Sequence, residues 1–108
     1  MQLIVADDGP YLIVTVQEPR IDAAIATGFK DKLRGIVLQA RKPVRLDMRS
    51  VDFMDSSGLG AMIAVRKALP ASLPIVLDAV TPNVERVFRL TRMDSVFEIR
   101  ARAIGERD

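Results

Sequence analysis

The sequence predicts an α/β domain in which a mixed, mostly parallel sheet of about five strands packs with three or more helices. Two observations predict this fold class. Short β-rich runs alternate with longer segments whose apolar residues recur at helical spacing. The 108 residues are 49% apolar and 28% charged, which is typical of a soluble globular unit. We therefore expect residues 1–108 to form a single domain.

The first two strands are predicted over residues 2–6 and 11–17. Between them lies Asp7-Asp8-Gly9-Pro10, a cluster of turn residues, so the two strands should pair as an antiparallel hairpin. The later strands are separated by helices and should therefore run parallel, with right-handed crossovers. The hairpin is what makes the expected sheet mixed.

The first helix is predicted to follow Asp22, because Asp caps helix N-termini by accepting hydrogen bonds from backbone N–H groups. Apolar residues then recur at helical spacing, namely Ile25, Phe29, Leu33, Ile36, Val37 and Ala40. Gly28 and Gly35 each cost such a helix about 1 kcal/mol relative to Ala, so contacts with the core must hold it.

A strand over residues 44–48 leads to Asp55-Ser56-Ser57-Gly58-Leu59-Gly60, and a second helix is predicted over residues 59–69. The two serines therefore lie at a strand-to-helix turn. Their hydroxyls and the Asp55 carboxylate offer oxygens to the free N–H groups of the first helical turn, and the two glycines allow other groups close to the backbone. Such a turn can cap the helix, seat a phosphate, or do both.

The last third of the chain predicts one more helix between two strands. A short buried-type strand over residues 75–78 precedes Thr81-Pro82, which is typical of an N-cap followed by Pro at the first helical position. The inner face of this third helix is predicted to contain Val84, Val87, Phe88 and Thr91. A final strand is predicted over residues 96–99, and the charged tail over residues 100–108 shows no clear pattern.

The composition excludes several kinds of site. The chain has no Cys and no His, which removes disulfide frameworks, zinc sites built on these residues, thiol nucleophiles and imidazole-dependent triads. We expect no metal and no cofactor. The net charge is only +2 and the Lys and Arg residues are scattered, which argues against nucleic-acid binding. There is no basic leader and no apolar run of about 18 residues, so we expect no export, no membrane insertion and a cytoplasmic location.

The stretch Val51-Asp52-Phe53-Met54-Asp55-Ser56-Ser57-Gly58-Leu59-Gly60 closely resembles the signature of the STAS domain, in particular that of small bacterial anti-sigma factor antagonists. Family-like sequence flanks it from residue 21 to residue 99. The resemblance implies the STAS fold over nearly all of the chain. It also implies that Ser57 is the phosphorylated serine, Ser56 its neighbour, and Asp55 an acidic residue that orients the serine hydroxyl, caps the helix, or does both. We expect the Ser57 hydroxyl to face solvent and Ser56 to turn toward the backbone.

Asp22 matches the aspartate that precedes the first helix in the family and that lies near the phosphoserine. Its other interpretation is a helix N-cap. The sequence departs from the family at two places. Residues 19–21 stand where relatives commonly have a glycine before the Asp, which affects how this loop approaches a partner. Arg92 stands where relatives usually have Gly, so the turn after the third helix can close differently.

The second helix carries a stripe of small residues, because Ser57, Ala61, Ala64 and Ala68 recur at helical spacing, while Met62, Val65 and Leu69 form a core face. Such a stripe suits the close docking of another protein. Alternatively, the alanines pack on the sheet. The predicted partner-binding residues are Asp22, Asp55, Ser56, Ser57, Gly58, Leu59, Gly60, Ala61 and Ala64.

The resemblance implies an anti-sigma factor antagonist. Its unphosphorylated form would bind an anti-sigma factor that is also its serine kinase, and would so release a sigma factor. Phosphorylation of Ser57 would break the binding, and a phosphoserine phosphatase would restore it.

Two other classes of function stay open. One is a structural STAS subunit of a stressosome-like or lipid-transport ABC assembly, and the other is a sensor that binds a nucleotide or anion at the serine turn. An enzyme is not expected, since no Gly-x-Ser-x-Gly surrounds either serine and Ile63 replaces the small residue of a dinucleotide fingerprint. We therefore predict no catalytic residues.

Overall fold

The computed structural model describes residues 2–102, in which strands and helices alternate along the chain. The elements are β1 (Leu3–Asp8), β2 (Tyr11–Val16), β3 (Arg20–Ile21), α1 (Ala26–Ala40), β4 (Val44–Asp47), β5 (Phe53–Met54), α2 (Ser56–Ala68), β6 (Ile75–Val80), α3 (Pro82–Leu90) and β7 (Glu98–Ala101). A single turn of 3-10 helix, Met93–Ser95, follows α3. None of the helices in residues 2–102 combines the length and the apolar character needed to cross a membrane.

The main sheet has five strands within the described residues, in the order β1-β2-β4-β6-β7. β1 and β2 are antiparallel, and the other neighbouring strands are parallel. The predicted fold class is therefore confirmed, including the hairpin and the parallel strands joined by helices. Because each parallel crossover advances by one strand in the same direction, and such crossovers are right-handed, all three helices lie on one face of the sheet.

The core lies between that face and the helices. Alternate residues of β2 and β4 are buried, and their neighbours are half-buried. The buried helix residues include Phe29, Leu33 and Val37 of α1, Met62 and Val65 of α2, and Val84 and Phe88 of α3. The rings of Phe88 and Phe97 pack edge to face with 5.6 Å between their centroids, which joins α3 to the segment before β7.

The opposite face of the sheet is charged, and no helix of residues 2–102 covers it. Arg45 of β4 donates from Nε to Oδ2 of Asp78 in β6 at 2.7 Å, and the hydrogen bond and charge of Asp78 raise the pKa of the Arg45 guanidinium. Arg49 pairs with Asp47 at 3.2 Å on the same face. The sheet thus has one apolar face under the helices and one charged, partly exposed face.

A second sheet, formed by β3 and β5, is absent from the sequence prediction. These two-residue strands pair in parallel, with Arg20 opposite Phe53 and Ile21 opposite Met54. The amide of Phe53 also donates to the carbonyl of Pro19 at 3.2 Å. Two residues are too few to show alternation, so periodicity gives no signal for such strands. The small sheet holds the segments before α1 and α2 side by side.

The first two helices begin at different residues from those predicted. α1 begins at Ala26, so Asp22 is not its N-cap. The Asp22 carboxylate instead accepts a hydrogen bond from the amide of Ala24 at 3.1 Å, within a turn that precedes the helix. α2 begins at Ser56 rather than at residue 59, because Asp55 provides the cap one position earlier.

The third helix begins at Pro82 as predicted, but it ends at Leu90, before Thr91, and its contacts differ from those expected. The hydroxyl of Thr81 donates to the carbonyl of Val51 at 2.8 Å and accepts no bond from the helix. Thr91 is exposed, contrary to the prediction, and its hydroxyl donates to the carbonyl of Val87. Arg92 adopts the left-handed conformation, with φ of 60°, that a Gly would favour, which costs an Arg about 1–2 kcal/mol. The turn therefore closes in the left-handed conformation even though Arg replaces Gly.

The last two strands are shifted relative to the prediction. β6 continues beyond residue 78 to Val80, which pairs with Ala101 of β7. Ala79, with φ of 53°, lies in the irregularity that precedes this pair. β7 is Glu98–Ala101 rather than residues 96–99, so Arg100 and Ala101 of the predicted tail belong to the sheet. Residues 103–108 of that tail lie outside the described residues.

Candidate functional site

The carboxylate of Asp55 holds the starts of two helical segments together. Its Oδ1 accepts a hydrogen bond from the amide of Gly58 at 3.0 Å and so caps α2. Its Oδ2 accepts one from the amide of Ala23 at 3.3 Å, in the turn before α1. One side chain therefore satisfies backbone donors from segments that are 32 residues apart in sequence.

Ser56 and Ser57 are the first two residues of α2, and both are exposed. The expected turn of Ser56 toward the backbone is not observed, since neither hydroxyl makes a hydrogen bond within residues 2–102. Asp55 bonds neither hydroxyl within the described residues; its two oxygens accept from the backbone amides of Ala23 and Gly58. The structure thus shows its capping role without a role in orienting the serines.

A groove of about 280 Å³ runs between α1 and α2, and only one of the two serines lines it. Its α1 wall consists of Ala23, Ala26, Thr27 and Lys30, and its α2 wall of Ser57, Gly60, Ala61 and Ala64. Ser57 lines the groove and Ser56 does not. Of the predicted stripe, Ser57, Ala61 and Ala64 line the groove and Ala68 does not; Ala61 is also buried in the core, as the alternative interpretation expected.

Gly58 and Leu59 lie beneath this surface and are buried. A Cβ atom at residue 58 would collide with the carbonyl oxygen of Ile21 and would lie 2.9 Å from Cγ of Met54. At Gly60, by contrast, no described atom outside the helix backbone lies within 4 Å of a Cβ position. Gly58 is thus required by the close approach of β3, whereas Gly60 keeps the groove open.

Asp22 lies in the segment that Asp55 bonds, and it forms an ion pair with Arg20 at 3.3 Å. The guanidinium of Arg20 stacks on the ring of Phe53, 4.3 Å from its centroid, and Phe53 is 40% exposed. Sequence reasoning missed this pair. The available signal was Arg20, which stands where the sequence departs from the family. Nothing in the sequence indicated that this segment pairs with the segment that contains Phe53.

Within the described residues, no side chain makes a hydrogen bond with the Ser57 hydroxyl. The nearby carboxylate of Asp55 is engaged by amides, and no group of three acidic residues is arranged to hold a metal ion in residues 2–102.

Comparisons with known proteins identify the family of the chain. The family model of the STAS domain matches residues 2–103. Over 81 residues the chain is 30% identical to the anti-sigma-B factor antagonist of Listeria monocytogenes, which covers 74% of this chain and 71% of the relative.

Two solved structures have a similar fold. An anti-sigma factor antagonist from Mycobacterium paratuberculosis has a TM-score of 0.80 at 24% identity, covering 95% of this chain and 86% of that chain. The Bacillus cell fate determinant SpoIIAA in its phosphorylated form has a TM-score of 0.65 at 16% identity, covering 91% of this chain and 90% of that chain.

Two alanine substitutions in α2 should have opposite effects on stability. Gly58→Ala forces a methyl group against the Ile21 carbonyl and should lower the free energy of unfolding by about 1–3 kcal/mol. Gly60→Ala places its methyl group in open space and restricts the unfolded chain, so it should raise the free energy of unfolding by about 0.5–1 kcal/mol. Urea unfolding followed by circular dichroism measures both changes. A Gly58→Ala variant as stable as the unaltered chain would contradict the close packing.

Proposed function

The chain belongs to the STAS domain family, and we propose that it is an anti-sigma factor antagonist whose binding is switched off by phosphorylation of Ser57. The observation that carries the proposal is the exposed Ser57 hydroxyl, which has no hydrogen-bond partner in residues 2–102 and lies on a groove of small residues. The names of the relatives support it, since one is an anti-sigma-B factor antagonist and another has been solved in a phosphorylated form.

In this proposal the unphosphorylated chain binds an anti-sigma factor over the groove between α1 and α2. Gly60 has no side chain, and those of Ala61 and Ala64 are small, so a partner's backbone has room to come close. The exposed neighbours of Ser57, which include Ser56 and the Asp22 loop, extend the same surface. The bound anti-sigma factor then releases its sigma factor, and the exchange takes place in the cytoplasm. The chain acts by binding and performs no catalysis.

The anti-sigma factor is also the serine kinase in this proposal, and it supplies the chemistry that the chain lacks. The bond between the γ-phosphorus of ATP and the bridging oxygen breaks, a bond to Oγ of Ser57 forms, and ADP leaves. The hydroxyl proton goes to a base of the kinase, which also holds ATP and Mg²⁺. A phosphoserine phosphatase restores the hydroxyl by adding water and releasing inorganic phosphate.

A phosphate at Ser57 should block docking without unfolding the chain. It adds a charge of about −1.5 to −2 at pH 7, next to Asp55 and on the groove in which the partner would dock. The start of a helix tolerates such a group, because its first N–H groups have no acceptor within the helix and the macrodipole contributes about 0.3–1 kcal/mol in favour of an anion. The change therefore affects the interface and leaves the fold intact.

We expect Ser57, rather than Ser56, to accept the phosphate, because Ser57 lies on the groove where the kinase would dock. The chain should be incubated with ATP and its cognate anti-sigma factor kinase, and the phosphate located by mass spectrometry. Ser57→Ala should abolish the modification and Ser56→Ala should retain it. Phosphate found on Ser56 alone would overturn the assignment.

Phosphorylation should weaken binding to the anti-sigma factor by about a hundredfold or more, since like charges brought together at an interface cost several kcal/mol. Ser57→Ala removes only a hydroxyl and should bind nearly as the unaltered chain does. Ser57→Asp carries one charge on a shorter side chain and should have an intermediate effect. Calorimetric titration measures all four forms. If the phosphorylated chain and Ser57→Asp bound as tightly as Ser57→Ala, the switch would be wrong and a structural-subunit role would be favoured.

The groove itself can be tested with a matched pair of glycine variants. Gly60→Ala fills the groove with a methyl group and should weaken binding by about tenfold, although it stabilises the fold. Gly35→Ala, exposed on α1 and also in open space, should stabilise the fold without changing the affinity. Surface plasmon resonance with the anti-sigma factor compares the two. Equal affinities would place the docking surface elsewhere.

A further inference from the structure

Lys30 is the charged member of the residues that line the groove beside Ser57. Its side chain is half-buried, and within residues 2–102 it has neither an ion-pair partner nor a hydrogen-bond acceptor. A partly desolvated ammonium group normally has an anion beside it or extends into water. The described residues supply no such anion to Lys30 in the unmodified chain.

The geometry of the two helices directs Lys30 toward Ser57. α1 and α2 run in the same direction, because each returns from the carboxyl end of one parallel strand to the amino end of the next. The hydrogen bond from the Ala23 amide to Asp55 holds the start of α1 beside the start of α2. Lys30 lies about one helical turn beyond Ala26, the first residue of α1. Helical side chains tilt toward the N-terminus of their helix, and along α1 this is the direction of the serine.

Nothing large separates the two side chains along this path. Thr27, Gly60 and Ala61 line the groove between their levels, and none of them is long enough to close it. The four-carbon stem of a lysine covers roughly one helical turn of about 5.4 Å. The stem of Lys30 can therefore span the offset of about one helical turn between its own position and the start of α2.

We infer that Lys30 is the internal counter-ion of phosphorylated Ser57 and draws the phosphate down into the groove. The inference rests on the proposed phosphorylation of Ser57. The other charged groups near the start of α2 are committed elsewhere, because Asp55 accepts from two amides and Asp22 pairs with Arg20. Lys30 thus adds a steric block to the electrostatic one in the phosphorylated chain, since the phosphate occupies the space in which the partner would dock.

The test uses the full chain with phosphoserine encoded genetically at position 57, so that it does not depend on a kinase. Phosphorus NMR follows the second ionisation of the phosphate, near about pH 6. A neighbouring cation favours the dianion and lowers this pKa, so Lys30→Met should raise it by about half a pH unit. Lys30→Arg should keep the low value. Lys67→Met, which removes an exposed cation in the last turn of α2, should also leave the pKa unchanged.

A Lys30→Met titration that overlays that of the unaltered phosphorylated chain would overturn the inference. So would a shift that survives unchanged at high salt, since a partly exposed ion pair is screened. Lys30→Gln provides a second neutral variant if Lys30→Met fails to fold, which circular dichroism of each variant reports. Failure of the kinase to modify Ser57 would instead overturn the proposed function, and the NMR result on encoded phosphoserine would stand apart from it.

Discussion

The hydrogen bonds of the Asp55 carboxylate are the contacts on which the rest of the site depends. An ionised carboxylate bonds amides more strongly than a neutral acceptor does, and this one bonds the start of α2 and the turn before α1 at once. The small sheet of β3 and β5 joins the same two segments. The hydroxyl of Thr81 adds the segment after β6 by bonding the carbonyl of Val51. Three connections at the carboxyl ends of the parallel strands are thereby fixed relative to one another.

This arrangement separates the residues that hold the site from Ser57, the residue proposed to be phosphorylated. Asp55 and Gly58 provide the capping bond and the close packing that fix the first turn of α2. Ser57 lies in that fixed turn, and its hydroxyl makes no hydrogen bond within residues 2–102. A phosphate can therefore be added to Ser57 and removed from it without breaking a bond that the described fold needs. The fold thus holds the Ser57 hydroxyl in a fixed position without using it in a structural contact among the described residues.

The long elements were predictable because a helix of 15 residues, such as α1, repeats its apolar period several times. The strands β3 and β5 have two residues each and offer no period at all. Asp22 was misread as a helix cap because Asp favours an N-cap and a tight turn for the same reason, namely that its short side chain accepts nearby amides. Gly58 and Gly60 look alike in the sequence. Only the position of Ile21, set by tertiary packing, makes the first indispensable and leaves the second in open space.

The strand order leaves β1 and β7 at the two edges of the main sheet, and each edge presents backbone groups that no strand of residues 2–102 satisfies. Such edges can pair with strands of other chains and lead to aggregation unless charged residues discourage it. β1 ends in Asp7 and Asp8, and β7 carries Glu98 and Arg100. Both edges thus carry charged residues, although β1 also exposes Ile4 and Val5. Substitutions of these edge charges can therefore alter association between sheets without touching the groove between α1 and α2.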